Sequence, residues 1–280
     1  MTIEEILAKP DVINLANFCV NAALLVVTSV SVICAFLAYF HQKDRSKKDT
    51  ACALASHYAD IILEENKFVS SVYKGAQLDG YISSTIKMDE LRHFDCQELK
   101  NILEKRGIDH DEFRRKLSEI DPFIILNCRI LREGSISERD STYAGYVKVD
   151  KESGKRTIRN EAYLYMDLNQ EIDDLLNQLE WFAMNCRYGL ADEKLLYQPL
   201  HHTYLSMVWM LYPTISLRNK TGKSKLYTNV VWLFLKWRKR LNRMIGKAER
   251  KQKLLENMAE MAKKMARSTR VKDYSGKRLR

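Results

Sequence analysis

The chain has 280 residues, of which 46% are apolar and 29% charged, with only 10 Gly and 4 Pro. That composition excludes collagen-like, Pro/Gly low-complexity and wholly disordered chains, and it disfavours an all-β fold, which needs more turn residues. Lys and Arg number 46 against 36 Asp and Glu, and the net +10 is unevenly placed: residues 236–280 hold 17 basic and 4 acidic side chains, leaving the first 235 residues at −3.

From Ala22 to Phe40 nineteen residues carry no charge. At a helical rise of about 1.5 Å this run spans roughly 28 Å, the thickness of a hydrocarbon core. A cleaved signal peptide fits less well, because the run exceeds a signal core of roughly 7 to 15 residues, the leader is acidic and no small-residue cleavage site follows. The flanks set an orientation. Glu4, Glu5 and Asp11 precede the run, whereas Lys43, Arg45, Lys47 and Lys48 follow it. Basic flanks stay inside. The expectation is therefore a membrane protein with one pass, its N-terminus outside and its C-terminal domain cytoplasmic. The segments are 1–12 outside, 13–41 transmembrane, 42–49 a basic juxtamembrane linker, 50–235 a helical domain and 236–280 a basic helix or tail.

Within the span, Asn14, Asn17, Asn21, Leu24, Thr28, Ser31, Ala35 and Ala38 recur at three-to-four spacing, a stripe of mostly small or polar residues among bulky ones. Such a face, with Asn21, Thr28, Ser31 and Ala35 at its centre, lets membrane helices approach and hydrogen-bond. Three readings stay open: a homo-oligomer or membrane-protein partner, a polar pathway through an oligomer, or no role beyond contact with lipid.

Asp49 or Thr50 is expected to cap a new helix carrying Leu54, Tyr58, Ile61, Ile62, Val69 and Val72 on one face. Further helices are predicted from Cys96 with Asp95 as cap and Gly107 as stop, from a capping box at Asp109 and Glu112, and from Pro122. Residues 134–145 read as a surface loop, and weak alternation over 146–158 as a small hairpin. The clearest helix runs from about Asn160 to Tyr188, where Leu168, Ile172, Leu175, Leu176, Leu179, Phe182, Ala183 and Cys186 repeat at helical spacing and Gly189 ends the pattern. Asp192 caps the next segment, which Pro199 restarts and Pro213 stops. The fold class is mainly α: one transmembrane helix, a helical bundle and a long basic C-terminal helix.

The stretch from Asp174 through Trp237 carries Asn177, Glu180, Gly189, Asp192, Glu193, Leu195, Tyr197, Pro213, Ile215, Arg218, Tyr227 and Trp237. In this pattern it resembles the DUF4760 family, a bacterial domain of unknown function in small proteins with one N-terminal membrane helix. The likeness is strong over residues 172–240 and looser over 50–75, and residues 80–158 are longer than usual. It implies an anchored helical module of bacterial or phage-related origin and no particular chemistry.

From Tyr227 a heptad-like series runs through Val230, Phe234, Trp237, Leu241, Met244, Ala248, Lys251, Leu255, Met258, Ala262 and Met265. Lys236, Arg238, Lys239, Arg240, Arg243, Lys247, Arg250 and Lys251 are interleaved with it. A coiled coil, a helix lying on anionic lipid, and a nucleic-acid-binding arm all accommodate this pattern.

Phosphate-loop, dinucleotide-fold, nucleophile-elbow, zinc-protease and EF-hand signatures are absent from the sequence, and TGKSK at Thr221 reads as a solvated turn. The 6 cysteines form no CxxC pair, so neither a disulfide framework nor a zinc set is indicated. No cofactor, metal or catalytic residue is expected. His201 and His202 project about 100° apart on a helix and read as structural, as does His110 beside its capping residues. Glu180 is expected to pair with Arg187 or Arg218. The functional expectation is a non-enzymatic membrane protein whose helical domain senses a partner or ligand, with phage defence as a setting by analogy. The alternative is a membrane-tethered nucleic-acid-binding protein.

Overall fold

The computed structural model describes residues 10–133, 146–150, 156–219 and 225–276, and side chains among these from Leu24 to Met261 and at Lys263. The expected loop at 134–145, the tip of the hairpin, the TGKSK turn and the chain ends lie outside the described residues, as do the side chains of Asn14, Asn17 and Asn21. The fold is mainly α, as predicted.

Helix α1 (Pro10–His57) carries the apolar run and continues through the basic flank without a break. The expected helix start at Asp49 or Thr50 is therefore corrected. No Gly or Pro interrupts this stretch. Lys48 bonds Asp44 at 2.7 Å, Arg45 stands 4.0 Å from Asp49, and Thr50 donates to the Ser46 carbonyl, so the polar side chains support the helix they were expected to end. A π-helical turn (Tyr58–Ile62) then joins α1 to α2 (Leu63–Gly75). The turn re-phases the helix, so that Leu54, Tyr58, Ile62, Val69 and Val72 are all buried while Ile61 is left exposed.

Four short helices follow: α3 (Leu78–Thr85), α4 (Cys96–Glu104), α5 (His110–Ser118) and α6 (Pro122–Glu133). Asp95 and Asp109 accept from the amides of Glu98 and Glu112, capping α4 and α5 as the sequence predicts. Strands β1 (Val147–Val149) and β2 (Arg156–Ile158) pair antiparallel, with Val147 opposite Ile158.

Helix α7 (Glu161–Arg187) is followed by Gly189 at φ +67, a left-handed position where glycine ends the helix without strain. Helix α8 (Glu193–Arg218) starts at the Asp192 cap and runs unbroken past both prolines, correcting the expected restart and stop. An interior proline costs about 3 kcal/mol. Burial of Leu196, Tyr197, Tyr204, Leu205, Val208, Leu211, Tyr212 and Ile215 along the same helix outweighs that penalty.

The last helix, α9 (Thr228–Gly276), buries Val230, Leu233, Phe234 and Trp237 against α7 and α8. Trp237 is the centre of the core. It meets Phe182, Tyr197 and Tyr204 edge-on, with ring centroids 5.0 to 6.3 Å apart, the geometry aromatic quadrupoles favour. Beyond Leu241, α9 projects from the bundle with Met244, Ile245, Leu254, Leu255, Met258 and Met261 exposed.

Candidate functional site

The polarity of the helices places two projections at one end of the bundle. Along α1 and α2, Lys47, Tyr58 and Tyr73 bond to Asp192, Thr203 and Thr214 in turn, so these helices run parallel to α8. Along α9 the order reverses. The Val230 carbonyl accepts from Tyr204, Trp237 packs on Tyr197, and Lys236 and Arg240 reach Glu193. Thus α9 leaves the bundle at the end where α1 enters it, beside Lys47 and Asp192. From Phe40, the end of the apolar run, to Lys47 the helix advances only about 10 Å.

The family-like residues knit this region together. Both carboxylate oxygens of Glu180 accept from the Asn229 amide at 3.1 Å, one also accepts from Val230 N at 2.9 Å, and the other from the Asn229 side chain at 2.7 Å. Glu180 is therefore a cap supplied by α7 to the N-terminus of α9, where negative charge also meets the helix dipole. This corrects the expected ion pair. Arg187 instead donates to the Asn229 side chain at 3.0 Å, and Arg218 pairs with Asp173 and donates to the Tyr227 hydroxyl at 3.2 Å. Asp192 caps α8 through the amides of Lys194 and Leu195, while its own amide reaches the Lys47 carbonyl at 3.2 Å. Glu193 accepts from the Trp237 indole at 2.6 Å and pairs with Lys236 at 2.9 Å. Pro213 is buried within α8, and Asn177 is exposed. These residues fasten α9 to α7 and α8 rather than converge on a reaction centre.

On α1, the Thr28 hydroxyl donates to the Leu24 and Leu25 carbonyls at 2.9 and 3.0 Å, and Ser31 to Val27 at 2.8 Å. Their protons are thus spent inside their own helix. With Ala35 they leave a surface of small side chains, exposed along its length. The basic residues of α9 divide into two sets. Lys236 and Arg240 pair with Glu193, and Arg238, only 7% exposed, donates to the Met88 and Leu91 carbonyls at 2.6 and 2.7 Å. Lys239, Arg243, Lys247, Arg250 and Lys251 are exposed. The notional tail boundary at residue 236 therefore falls within a segment whose next two residues belong to the core.

His201 is buried, with Nδ1 2.8 Å from the Tyr197 carbonyl, and its ring stacks on Tyr197. Its neighbour His202, not His201, lines the groove that also takes in Leu63, Ser70 and Met207. Among the described residues no group of three His, Cys, Asp or Glu side chains is placed to hold a metal ion. Burial pushes the Cys186 thiol up to about 12, aided by Glu193, so it is not a poised nucleophile.

Sequence reasoning missed Asn219, which is 1% exposed. Its side chain donates to the Phe94 and Leu226 carbonyls and accepts from the Leu226 amide at 2.6 Å, holding both sides of the connection that leads into α9. Its position directly after Arg218, at the end of α8, was the available signal.

Among the described residues one helix, with side chains described from Leu24, is long and apolar enough to cross a membrane. No curated protein and no solved structure matches the chain. A family model described as a domain of unknown function, DUF4760, matches residues 25–237. That match begins within the apolar run and takes in the bundle up to Trp237, including Glu180, Asp192, Glu193, Arg218 and Asn229, and the chain is a member of the DUF4760 family.

Proposed function

We propose that this is a non-enzymatic, single-pass inner-membrane protein with its N-terminus outside and a cytoplasmic bundle that receives a partner or ligand and passes its state to the membrane helix. One observation carries the reading. The apolar helix is continuous with the helix that enters the bundle core, from Pro10 to His57, so displacement of the bundle is transmitted to the span without a flexible joint. The stripe of Thr28, Ser31 and Ala35 is the face through which the spans of two copies, or of this protein and a membrane partner, meet by close packing.

Beyond Leu241, α9 is the lipid-facing element in this scheme. It leaves the bundle on the side of the span, and between Leu241 and Lys253 Arg243, Lys247, Arg250, Lys251 and Lys253 stand against only Glu249. Each basic residue at an anionic surface contributes about 1 kcal/mol. A phage-defence effector that perturbs the membrane when triggered is the narrower form of the proposal, resting on analogy with small anchored effector proteins.

Protease protection in spheroplasts tests the arrangement. Cleavage in the bundle of intact spheroplasts, or recovery of the chain from the aqueous fraction without detergent, would overturn it. The basic face of α9 also favours a second reading, a membrane-tethered nucleic-acid binder. That reading requires RNA or DNA binding which weakens steeply with salt and is lost on truncation after Gly246, a cut that spares Trp237 and Arg238.

A further inference from the structure

Beside the 3-10 turn Met88–Glu90, the chain and α9 enclose a groove of about 520 Å³ lined by Asp89, Arg92, Leu235, Arg238, Lys239, Asn242 and Arg243. Four of the seven lining residues are cations. Arg238 is nine-tenths buried, yet neither it nor Arg92, Lys239 or Arg243 has a carboxylate partner among the described residues. A buried charge without a counter-ion is strongly unfavourable unless something supplies the opposite charge.

Two carboxylates, Asp89 and Glu98, lie close enough to favour the charged form of Arg238, but neither bonds it. Glu98 is engaged by the backbone amides of Arg92, His93 and Phe94 and by the Tyr212 hydroxyl. Asp89 is exposed at the rim and accepts from Asn242 at 3.2 Å. Of the Arg238 guanidinium, only Nη1 is occupied, by two carbonyls 2.6 and 2.7 Å away. Those bonds hold the planar group in place, and the N–H groups on Nε and Nη2 have no protein acceptor among the described residues. Burial, and then repulsion from Arg92, hold the Arg238 guanidinium below its usual range, opposed by attraction from Asp89 and Glu98. A guanidinium always charged at physiological pH and fixed at the base of a cationic groove matches the oxygens of a tetrahedral oxyanion.

We propose that this groove is a phosphate-binding site: Arg238 receives two phosphate oxygens through Nε and Nη2, and Arg92, Lys239 and Arg243 close around the anion. Its volume admits a phosphate ester, so the occupant is a phospholipid headgroup or a small soluble phosphate compound. The site does not depend on the membrane topology proposed above.

The test uses the full chain in nanodiscs of neutral phosphatidylcholine, titrated calorimetrically with inorganic phosphate, with potassium chloride at matched ionic strength as reference. A parallel arm places the protein in nanodiscs containing phosphatidic acid and follows the unfolding midpoint. Saturable heat with phosphate assigns a soluble occupant. A raised midpoint in phosphatidic acid alone assigns the headgroup. In either case the double variant Arg92→Ala/Arg243→Ala, whose side chains are exposed, weakens the effect at least tenfold, and Lys100→Ala/Lys105→Ala, at exposed positions on and just after α4, leaves it within twofold. Arg238→Gln abolishes it, and the rim variant decides the matter should Arg238→Gln fail to fold. The site is refuted if neither arm exceeds its reference, if both double variants behave alike, or if only long polyanions such as an oligonucleotide bind.

Discussion

Replacing Glu180 by Ala removes the acceptor for the first amides of α9. Loss of a helix cap costs about 1 kcal/mol. Leaving the Asn229 and Val230 amides without a partner adds about 1–2 kcal/mol, because Val230 is fully buried and water reaches its amide poorly. For a domain of this size each kcal/mol moves the unfolding midpoint by about 2–4 °C, so Glu180→Ala lowers it by roughly 5–10 °C. Glu180→Gln keeps a carbonyl oxygen for one amide and loses mainly the charge at the helix N-terminus, about 0.3–1 kcal/mol. Arg187→Ala, which removes one exposed bond to Asn229, moves the midpoint by about 2 °C or less. Circular dichroism melts of the full chain in a neutral detergent measure all three. A Glu180→Ala midpoint within 2 °C of the parent, or a larger loss in Arg187→Ala, refutes the cap and restores the ion pair expected from the sequence.

Four further outcomes are expected. Trp237→Ala costs about 3–5 kcal/mol and abolishes the near-ultraviolet aromatic signal, whereas Trp237→Phe retains the packing and loses the bond to Glu193. Hydrogen exchange at the amides of residues 42–50 is slow, as in the rest of α1, and Ser46→Pro makes it fast; rapid exchange in the parent protein contradicts a rigid joint. The exposed Cys52 reacts with maleimide at pH 8, while Cys186, whose thiol burial pushes up to about 12, labels only after unfolding. Burial, then repulsion from Asp174 and Glu171, holds the Glu65 carboxyl above the usual glutamate range, so its ionised form is disfavoured in the folded state. Glu65→Gln accordingly stabilises at pH 7, and the gain vanishes as pH falls below the ordinary glutamate value; equal midpoints at pH 7 contradict it.

Apolar periodicity and punctuation determined much of this protein before any coordinates. An uncharged run of nineteen residues is long and apolar enough for a span, and Asp95, Asp109, Pro122, Gly189 and Asp192 mark helix ends through the local chemistry of their own side chains and backbones. These signals reside in neighbouring residues, so the sequence carries them openly. The same local rules misplaced the helix start at Asp49 and the breaks at Pro199 and Pro213. At Asp49 the i,i+4 bonds of Asp44, Arg45 and Ser46 carry the helix through, while at the prolines burial of Tyr197, Tyr204 and Tyr212 overrides propensity, and only packing reveals how much apolar surface is at stake.

Sequence spacing named Glu180, Arg187 and Arg218 but not their partners, because Glu180 answers the amide of Asn229 from another helix and Arg218 answers Asp173. The basic run after Lys236 looked uniform for the same reason. Folding alone divides it into core, ion-paired and free positions, since the groove that takes in Arg238 and Arg243 is completed by Arg92 from a turn about 150 residues earlier in the chain.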